Sequence, residues 1–383
     1  MGRHHASAEA SDTFQPARAP QAVIPKPVAA TEAVVIQGRQ GQELRAGLML
    51  VRDDFPFMHT SSLQDGERPQ PTLAGAFNFR RLPDAPIYGM SQPTAQGIRN
   101  ALNHLNAGPS SSGPAPHWIN MREEPVVYLE GSPLFLMDTR RRFTNVEAPG
   151  STVEQVEQRE EQIKQDIYAE AARSGGKLLV HRVLPGQQMS YEWLEIAPDS
   201  VQTTREVFEQ VRSEGYRVEF HRVPVTDEQS PDPQDFDALT RQLSGLPADT
   251  PRVFNCQMGR GRTTTGMVAA QLVAGQATAP GAPPKVKFDK TFAAIHSWLL
   301  QVGAGMVPLA GVNWAIAKAD AVQNLRDSIV GLQQKVREDA NPEHSRRLDH
   351  YMHRYEQLVA YNAYLQEGNP TATPFGEWLQ SKA

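Results

Sequence analysis

Residues 253–267 read Val-Phe-Asn-Cys-Gln-Met-Gly-Arg-Gly-Arg-Thr-Thr-Thr-Gly-Met, a short apolar run ending on the chain's only cysteine, Cys256, with Arg262 six positions further on. Five residues between a cysteine and an arginine can curl so that successive backbone N–H groups point inward and form a nest for an anion. Gly259 and Gly261 permit the curl, because glycine takes conformations closed to other residues and puts no Cβ where an oxygen must sit. Arg262 offers a planar fork that matches two oxygens of a phosphate. Residues 262–274 (RTTTGMVAAQLVA) read as a helix that begins where the loop ends, so its positive N-terminus faces the same anion. At average residue frequencies these types meet at these offsets by chance about once in 10⁵ trials.

Backbone amides, a helix N-terminus and an arginine all favour a thiolate over a thiol. Cys256 is therefore expected to be a nucleophile, with Thr263 hydrogen-bonding the sulfur and stabilising it as a leaving group. Gln257, Met258, Gly259, Arg260 and Gly261 would form the cradle. Attack on a phosphate ester also needs an acid for the departing oxygen, carried on a separate loop. Residues 217–225 (RVEFHRVPV) read as a strand that runs into Thr226-Asp227-Glu228-Gln229-Ser230-Pro231-Asp232. Asp227 stands at the strand end, with Glu228 and Asp232 as rivals. An acidic turn with prolines is often only a turn.

Around the loop, helical and extended patterns alternate. Residues 203–214 carry Val207, Phe208 and Val211 at helical spacing, residues 234–246 read as a further helix, and residues 253–255 as a buried strand. The expected fold is α/β, with a central, mostly parallel sheet flanked by helices and the loop at the C-terminal end of a strand, where such sheets bind ligands. Residues 126–197 break the pattern, with a hairpin at 126–137, a charged helix at 153–173 and strands at 177–183 and 191–196. Two long polar helices are expected at 320–338 and 343–366, and a loop at 275–285. No internal repeat is seen.

The chain has 383 residues and 39% hydrophobic content, enough for a large core, and a single cysteine excludes a disulfide framework. A net charge of −5 argues against nucleic acid as a partner. No apolar stretch approaches the length of a spanning helix, so no membrane anchor is expected. The histidines show no metal-ligand spacing, and His181 and His221 read as structural; no metal and no cofactor is expected. Composition suits an intracellular enzyme, and a cysteine nucleophile works best in reducing surroundings. Arg140-Arg141-Arg142 reads as a solvated charge run, and Arg122-Glu123-Glu124 as an ion-pair brace between loops. Arg260, with Arg80, Arg182, Lys177 and Arg354, supplies cations for the wide mouth that a small polyphosphate needs.

Beyond the loop, several stretches carry a resemblance: Asn78-Phe79-Arg80, residues 86–94 (PIYGMSQPT), residues 118–125 (WINMREEP), Thr226-Asp227 with Pro231, and residues 373–379 (TPFGEWL). The chain resembles the protein-tyrosine-phosphatase-like (PTP-like) phytases, cysteine-dependent inositol polyphosphate phosphatases of bacteria, and is also similar to the repeat units of paladin. The likeness runs from about residue 75 to 383. It implies a PTP-like phosphatase domain over 46–383, with a small inserted partial β-barrel at 126–197. It further implies Cys256 as nucleophile, Arg262 as phosphate clamp, Asp227 as general acid, and Arg80 and the basic pair His181-Arg182 as holders of the substrate's other phosphates. The substrate would be inositol hexakisphosphate or a related small molecule. Asn255 departs from the family, which usually has histidine there, and implies slower tuning of Cys256 rather than loss of activity. A protein tyrosine or dual-specificity phosphatase and a non-catalytic phosphoinositol-binding module are the alternatives.

Residues 1–45 are rich in Ala, Pro, Ser and Gln, with no apolar core of a signal peptide, and are expected to be a disordered leader. That leader is compatible with a type III secretion signal, as in family members that plant-pathogenic bacteria inject into host cells. A plain flexible tail fits it equally.

Overall fold

The computed structural model describes residues 31–53, 73–184, 188–275, 293–339, 341–367 and 372–382. The disorder expected of residues 1–30 and the loop expected at 276–285 lie outside the described residues. Residues 31–45, expected to be disordered with them, are not. Glu32–Gln37 form a short helix, α1, with Ile36 buried. Just after it, Arg39 reaches the carbonyls of Leu48 (2.6 Å) and Leu179 (2.9 Å) and the Glu170 carboxylate (3.1 Å). Local composition hid this because two of those three partners lie far along the chain.

The first sheet holds β2 (Arg80–Arg81), β3 (Ile87–Met90), β4 (His117–Arg122), β10 (Glu219–Val225) and β11 (Arg252–Asn255), in the order β10-β4-β11-β3-β2. β11 lies between β3 and β4 and is parallel to both, β10 is parallel to β4, and only β2 runs antiparallel, against β3. Both faces are covered, as a parallel sheet requires. On one face Tyr88, Met90, Trp118 and Val253 pack against α2 (Ala95–His104) and α4 (Thr204–Ser213). On the other, Ile87, Ile119, Met121, Val223 and Phe254 meet α5 (Pro233–Leu243), α6 (Gly261–Val273) and a C-terminal helical layer. That layer comprises α7 (Ala293–Gln301), α8 (Val307–Lys318), α9 (Leu325–Glu338), α10 (Pro342–Gln366) and α11 (Phe375–Ser381). Each fully buried Ile, Met or Phe there contributes roughly 1.5–3 kcal/mol of transfer free energy.

The second sheet holds β1 (Leu48–Arg52), β5 (Val127–Leu129), β6 (Ser132–Asp138), β7 (Lys177–Leu184), β8 (Gln188–Glu195) and β9 (Val201–Thr203), in the order β8-β7-β1-β6-β5-β9. Helix α3 (Val153–Arg173) covers it with Ile163 and Ile167 against Leu50, Leu136, Leu178 and Val180. Among the described residues this sheet, expected as a partial barrel at 126–197, is not closed and has its edges at β8 and β9. It also takes β1 and β9 from outside that range. Glu160 of α3 joins the two sheets: its carboxylate accepts from Arg222 Nη2 of β10 (2.7 Å), the Val126 and Thr204 amides (3.1 Å each) and the Thr204 hydroxyl (3.0 Å). The buried charge is thereby paired and fully hydrogen-bonded.

The helices and strands that periodicity predicts are present near their expected places; α1, α2, α7, α8, α11, β1 to β4 and β9 were not among them. Two differences have local causes. The helix expected at 320–338 starts only at Leu325, because Asn324 Oδ1 accepts from the Arg326 (3.0 Å) and Asp327 (3.2 Å) amides and caps it. Helix α8 was not expected, since its sequence, VPLAGVNWAIAK, is apolar on nearly every side and shows no amphipathic stripe.

Helix α5 brings a pH-dependent element. Asp235 Oδ2 accepts from the Asp232 amide in the helix's first turn (2.8 Å), and burial, helped by Asp232 and Glu123, pushes its carboxyl up from 3.8 to about 7. The folded state thus keeps a proton, between about pH 4 and 7, that the unfolded chain gives up. The stability Asp235 contributes is present at pH 4 and lost as the pH rises through 7. Asp235→Asn stays neutral and can accept the same bond through Oδ1. It is expected to stabilise the protein at pH 8, by up to about 2 kcal/mol after allowing for partial exposure, and to change little at pH 4. Melting temperatures at the two pH values check this; equal shifts at both would contradict it.

Candidate active site

The parallel strands β3, β4, β10 and β11 all end on the same side of the first sheet, and each delivers a segment to one place. Behind Met90 of β3 come Ser91 and Gln92; behind Arg122 of β4 come Glu123 and Glu124. Val225 of β10 is followed by Thr226 and Asp227, and Asn255 of β11 by Cys256. Topology thus converges groups that sequence order scatters over more than 160 residues, at the strand ends where ligands bind in such sheets.

Cys256 is a free, buried cysteine, 3% exposed. Thr263 Oγ1 lies 3.1 Å from its sulfur and 3.3 Å from the Met90 carbonyl, so its one hydrogen is shared between them. The loop is tied down from outside. Gln92 donates its amide to the Gln257 carbonyl (2.9 Å), and Asn78 Nδ2 donates to the Met258 carbonyl (2.7 Å). Gly259 has φ +70°, and a methyl group there would overlap the Met90 carbonyl and the Ser91 nitrogen. Only glycine meets both conditions. Gly261, expected to serve the same curl, instead opens α6 with ordinary φ, and a Cβ there would stand 3.1 Å from Arg354 Nη1. Its role is to leave room for that guanidinium.

Arg262 is 2% exposed, and its fork is already engaged. Nη1 and Nη2 lie 2.6 and 3.0 Å from the two oxygens of Glu124, Nη1 also reaches the Val225 carbonyl (3.1 Å), and Nη2 is 3.1 Å from Asp227 Oδ1. Burial alone would lower the Arg262 pKa, but Asp227, Glu124 and the Cys256 sulfur outweigh it and raise it well above the ordinary value. Burial likewise pulls Glu124 upward, and Arg262 and Arg122 overcome it to hold the carboxylate below its usual range. Arg122 is itself held by Asp53 at 2.7 Å. The expected ion-pair brace at 122–124 thus exists, with a partner the sequence did not suggest: the clamp arginine itself.

Asp227 faces Arg262 and lines the cavity; Glu228 lines it too but is engaged by another arginine, and only Asp232 is placed away from it. Glu228 pairs with Arg347 (3.2 Å), and Asp232 stands exposed at the N-cap of α5. The cavity holds about 820 Å³ and is lined by Asp227, Cys256, Gln257, Met258, Arg260, Gly261, Arg262 and Arg354 together with residues of α9 and α10. Arg354 donates to the Gln229 carbonyl (2.8 Å) and lies over the Tyr351 ring (5.0 Å). Asn324, Asp327 and Lys335, and Arg347 and Tyr351 of α10, complete the wall; none was singled out from sequence, because a helix carries no mark of which polar side meets a distant loop.

Four expected substrate contacts, Arg80, Lys177, His181 and Arg182, are not brought to the cavity; Lys177 stands exposed at the start of β7. Arg80 is buried behind the loop, donating to the Asn78 carbonyl (3.1 Å) and Thr264 Oγ1 (2.9 Å); burial lowers its pKa to about 10 against the pull of Cys256. It braces the loop from beneath. His181 lies fully buried on β7, with Nε2 2.9 Å from Glu32 of α1, and burial depresses its pKa. Arg182, next on that strand and opposite Ser190, does not line the cavity. The resemblance implied phosphate contacts at Arg80, His181 and Arg182, but β7 of the second sheet carries the last two elsewhere and Arg80 on β2 is buried. The Arg140–Arg142 run is exposed, and Arg140 pairs with Asp138. Asn255 is buried and satisfied: Oδ1 accepts from Trp118 Nε1 (2.9 Å), and Nδ2 donates to Asn120 Oδ1 (3.3 Å), which fixes the residue before the nucleophile.

Among the described residues no group of His, Cys, Asp and Glu forms a metal cluster, and no helix is long and apolar enough to cross a membrane. Residues 119–274 match the family model for PTP-like phytases, described by inositol hexakisphosphate. Paladin of Gallus gallus is 28% identical over 333 residues, covering 80% of this chain and 36% of that protein, so the chain spans little more than a third of that relative. Among solved structures, a PTP-like myo-inositol phosphatase from Mitsuokella multacida, in complex with myo-inositol-(1,3,4,5)-tetrakisphosphate, superposes with TM-score 0.54 at 15% identity, covering 88% of this chain and 48% of that one. A PTP-like phytase from Bdellovibrio bacteriovorus gives TM-score 0.52 at 16% identity, covering 87% and 95%. Residues 119–274 thus match the PTP-like phytase family model, and the chain shares the fold of the solved PTP-like phytases.

Proposed function

We propose that this protein hydrolyses inositol polyphosphates, inositol hexakisphosphate among them, through a phosphocysteine intermediate. The sulfur of Cys256 attacks phosphorus, the ester P–O bond breaks, and the departing oxygen takes the proton of Asp227. Water then attacks the same phosphorus and gives its proton back to Asp227, and the P–S bond breaks with Thr263 hydrogen-bonding the released thiolate. The loop amides and Arg262 hold the equatorial oxygens throughout, positioned before the charge develops.

The observation that carries this reading is the breadth and charge of the cavity. A phosphotyrosine site is a deep, narrow slot lined by aromatics. Here about 820 Å³ opens around Cys256, with Arg260, Arg262, Lys335, Arg347 and Arg354 spread over its walls. Asp227, Glu228, Asp320 and Asp327 also line it and offset most of that charge, so what matters is how widely the cations are spread. A ring bearing several phosphates fits such a mouth, with one phosphate in the loop and others against the walls.

The test is phosphate release from inositol hexakisphosphate by purified protein in the presence of EDTA, beside a phosphotyrosine peptide. Release that is much faster from the inositol ester is expected, since thiolate and aspartate supply nucleophile and acid. Preference for the peptide would place the protein among tyrosine phosphatases. Tight binding without release from either would make it a binding module.

A further inference from the structure

One side-chain amide outside all the sequence motifs touches each working part of the cavity. Asn145 lies in the segment between β6 and α3, bridged to Met137 at the end of the hairpin. Its Nδ2 is 2.5 Å from Glu124 Oε1, 2.7 Å from Gln257 Oε1 and 3.4 Å from Asp227 Oδ2. The two short bonds use both amide hydrogens. Asp227, the third acceptor, stands within reach of whichever is released. Glu124 Oε1 is the same atom that receives Arg262 Nη2, and Gln257 follows the nucleophile directly. Clamp, loop and acid therefore share a single donor.

The acid has few other holds. The Asp227 side chain is 37% exposed; Oδ1 accepts from the Glu228 amide (3.1 Å) and pairs with Arg262 (3.1 Å), and Glu228 itself sits at φ 60°. A phosphate in the loop takes the Arg262 fork, so the arginine's grip on Asp227 loosens as the acid is needed. Asn145 remains. A cation in its place would favour only the ionised carboxyl, whereas a neutral amide can donate to an aspartate in either protonation state, as an acid that later serves as a base requires.

We propose that Asn145 is a positioning residue for proton transfer, holding Asp227 over the leaving oxygen once phosphate has claimed Arg262. The proposal rests on the phosphocysteine reading above. Its test compares an alkyl ester, inositol hexakisphosphate, with p-nitrophenyl phosphate, whose leaving group departs without a proton. For Asn145→Ala, kcat/KM on the inositol ester is expected to fall about 10- to 100-fold, and on the aryl ester less than about threefold. Asp227→Asn should show the same split more strongly, and adding Asn145→Ala to it should cost less than about twofold more on the inositol ester. Asn145→Asp, which keeps the volume but sets a carboxylate against Glu124 and Asp227, should reproduce the split and guards against a packing defect in the alanine variant. Equal losses on both esters in both variants, or additive losses in the double variant, would overturn the proposal and leave the phosphatase reading standing. A wild type silent on both esters would overturn both.

Discussion

Cys256→Ser is expected to lower phosphate release from inositol hexakisphosphate by about 10⁴-fold or more while the protein stays folded and still binds the anion. A serine hydroxyl at this site is not ionised, and an alkoxide is a far poorer leaving group than a thiolate, so both halves of the reaction suffer. Binding should survive because it resides elsewhere: in the loop amides, in the N-terminus of α6 and in Arg262, which Glu124 holds in place at 2.6 and 3.0 Å. Folding should survive because the exchange is nearly isosteric, and Thr263 Oγ1, 3.1 Å from the sulfur, can pair with the new hydroxyl. Phosphate release, melting temperature and calorimetric binding of the substrate together check this. A variant that keeps a tenth of the wild-type rate would mean that another group is the nucleophile.

The second large effect is expected from one methyl group. Gly259→Ala must place an L-residue at φ +70°, and the new Cβ overlaps the Met90 carbonyl and the Ser91 nitrogen. The strain is of order 1–3 kcal/mol if the conformation is kept. The backbone of β3's end cannot give way, because Ser91 N–H is bonded to the Phe77 carbonyl (2.8 Å) and Gln92 N–H to the Gln257 carbonyl (2.9 Å). The loop is therefore expected to flip out of its nest, losing anion binding and lowering kcat/KM by about 10³-fold, with a melting temperature several degrees below wild type. Unchanged binding of inorganic phosphate would show that the loop does not need the left-handed turn.

The loop and its helix were legible because they are local: cysteine, glycines, arginine and threonine within eleven residues leave one physical reading. Asp227 was legible as a position, the acidic residue at a strand end; in the structure it faces Arg262, Glu228 beside it pairs with Arg347, and Asp232 caps α5. What local pattern could not supply were partners brought from afar. Glu124 was readable as half of an ion pair, but not that the other half is Arg262, 138 positions away. Asn145 carried no signal at all, being a single amide in an irregular segment. Arg80 and His181 misled for the converse reason. The resemblance implied phosphate contacts at both, yet Arg80 is bonded to Asn78 and Thr264, and His181 to a helix in the stretch read as leader.

The strand order of the first sheet constrains how the chain can be made. β11, which Cys256 follows directly, is inserted between β3 and β4, although it is translated 130 residues after the second of them. On the ribosome β3 and β4 must wait apart, each with an unsatisfied edge and apolar faces such as Ile87 and Trp118, until residue 255 has emerged. Such distant pairing is slow to form and exposed to misassociation while it is pending. A nascent chain stalled before Arg252 should therefore be a substrate for chaperones rather than a folded intermediate. The nucleophile arrives with the strand that closes the sheet, so Cys256 gains its setting only once the sheet is assembled, while the C-terminal helices that finish the core on one face are still to come.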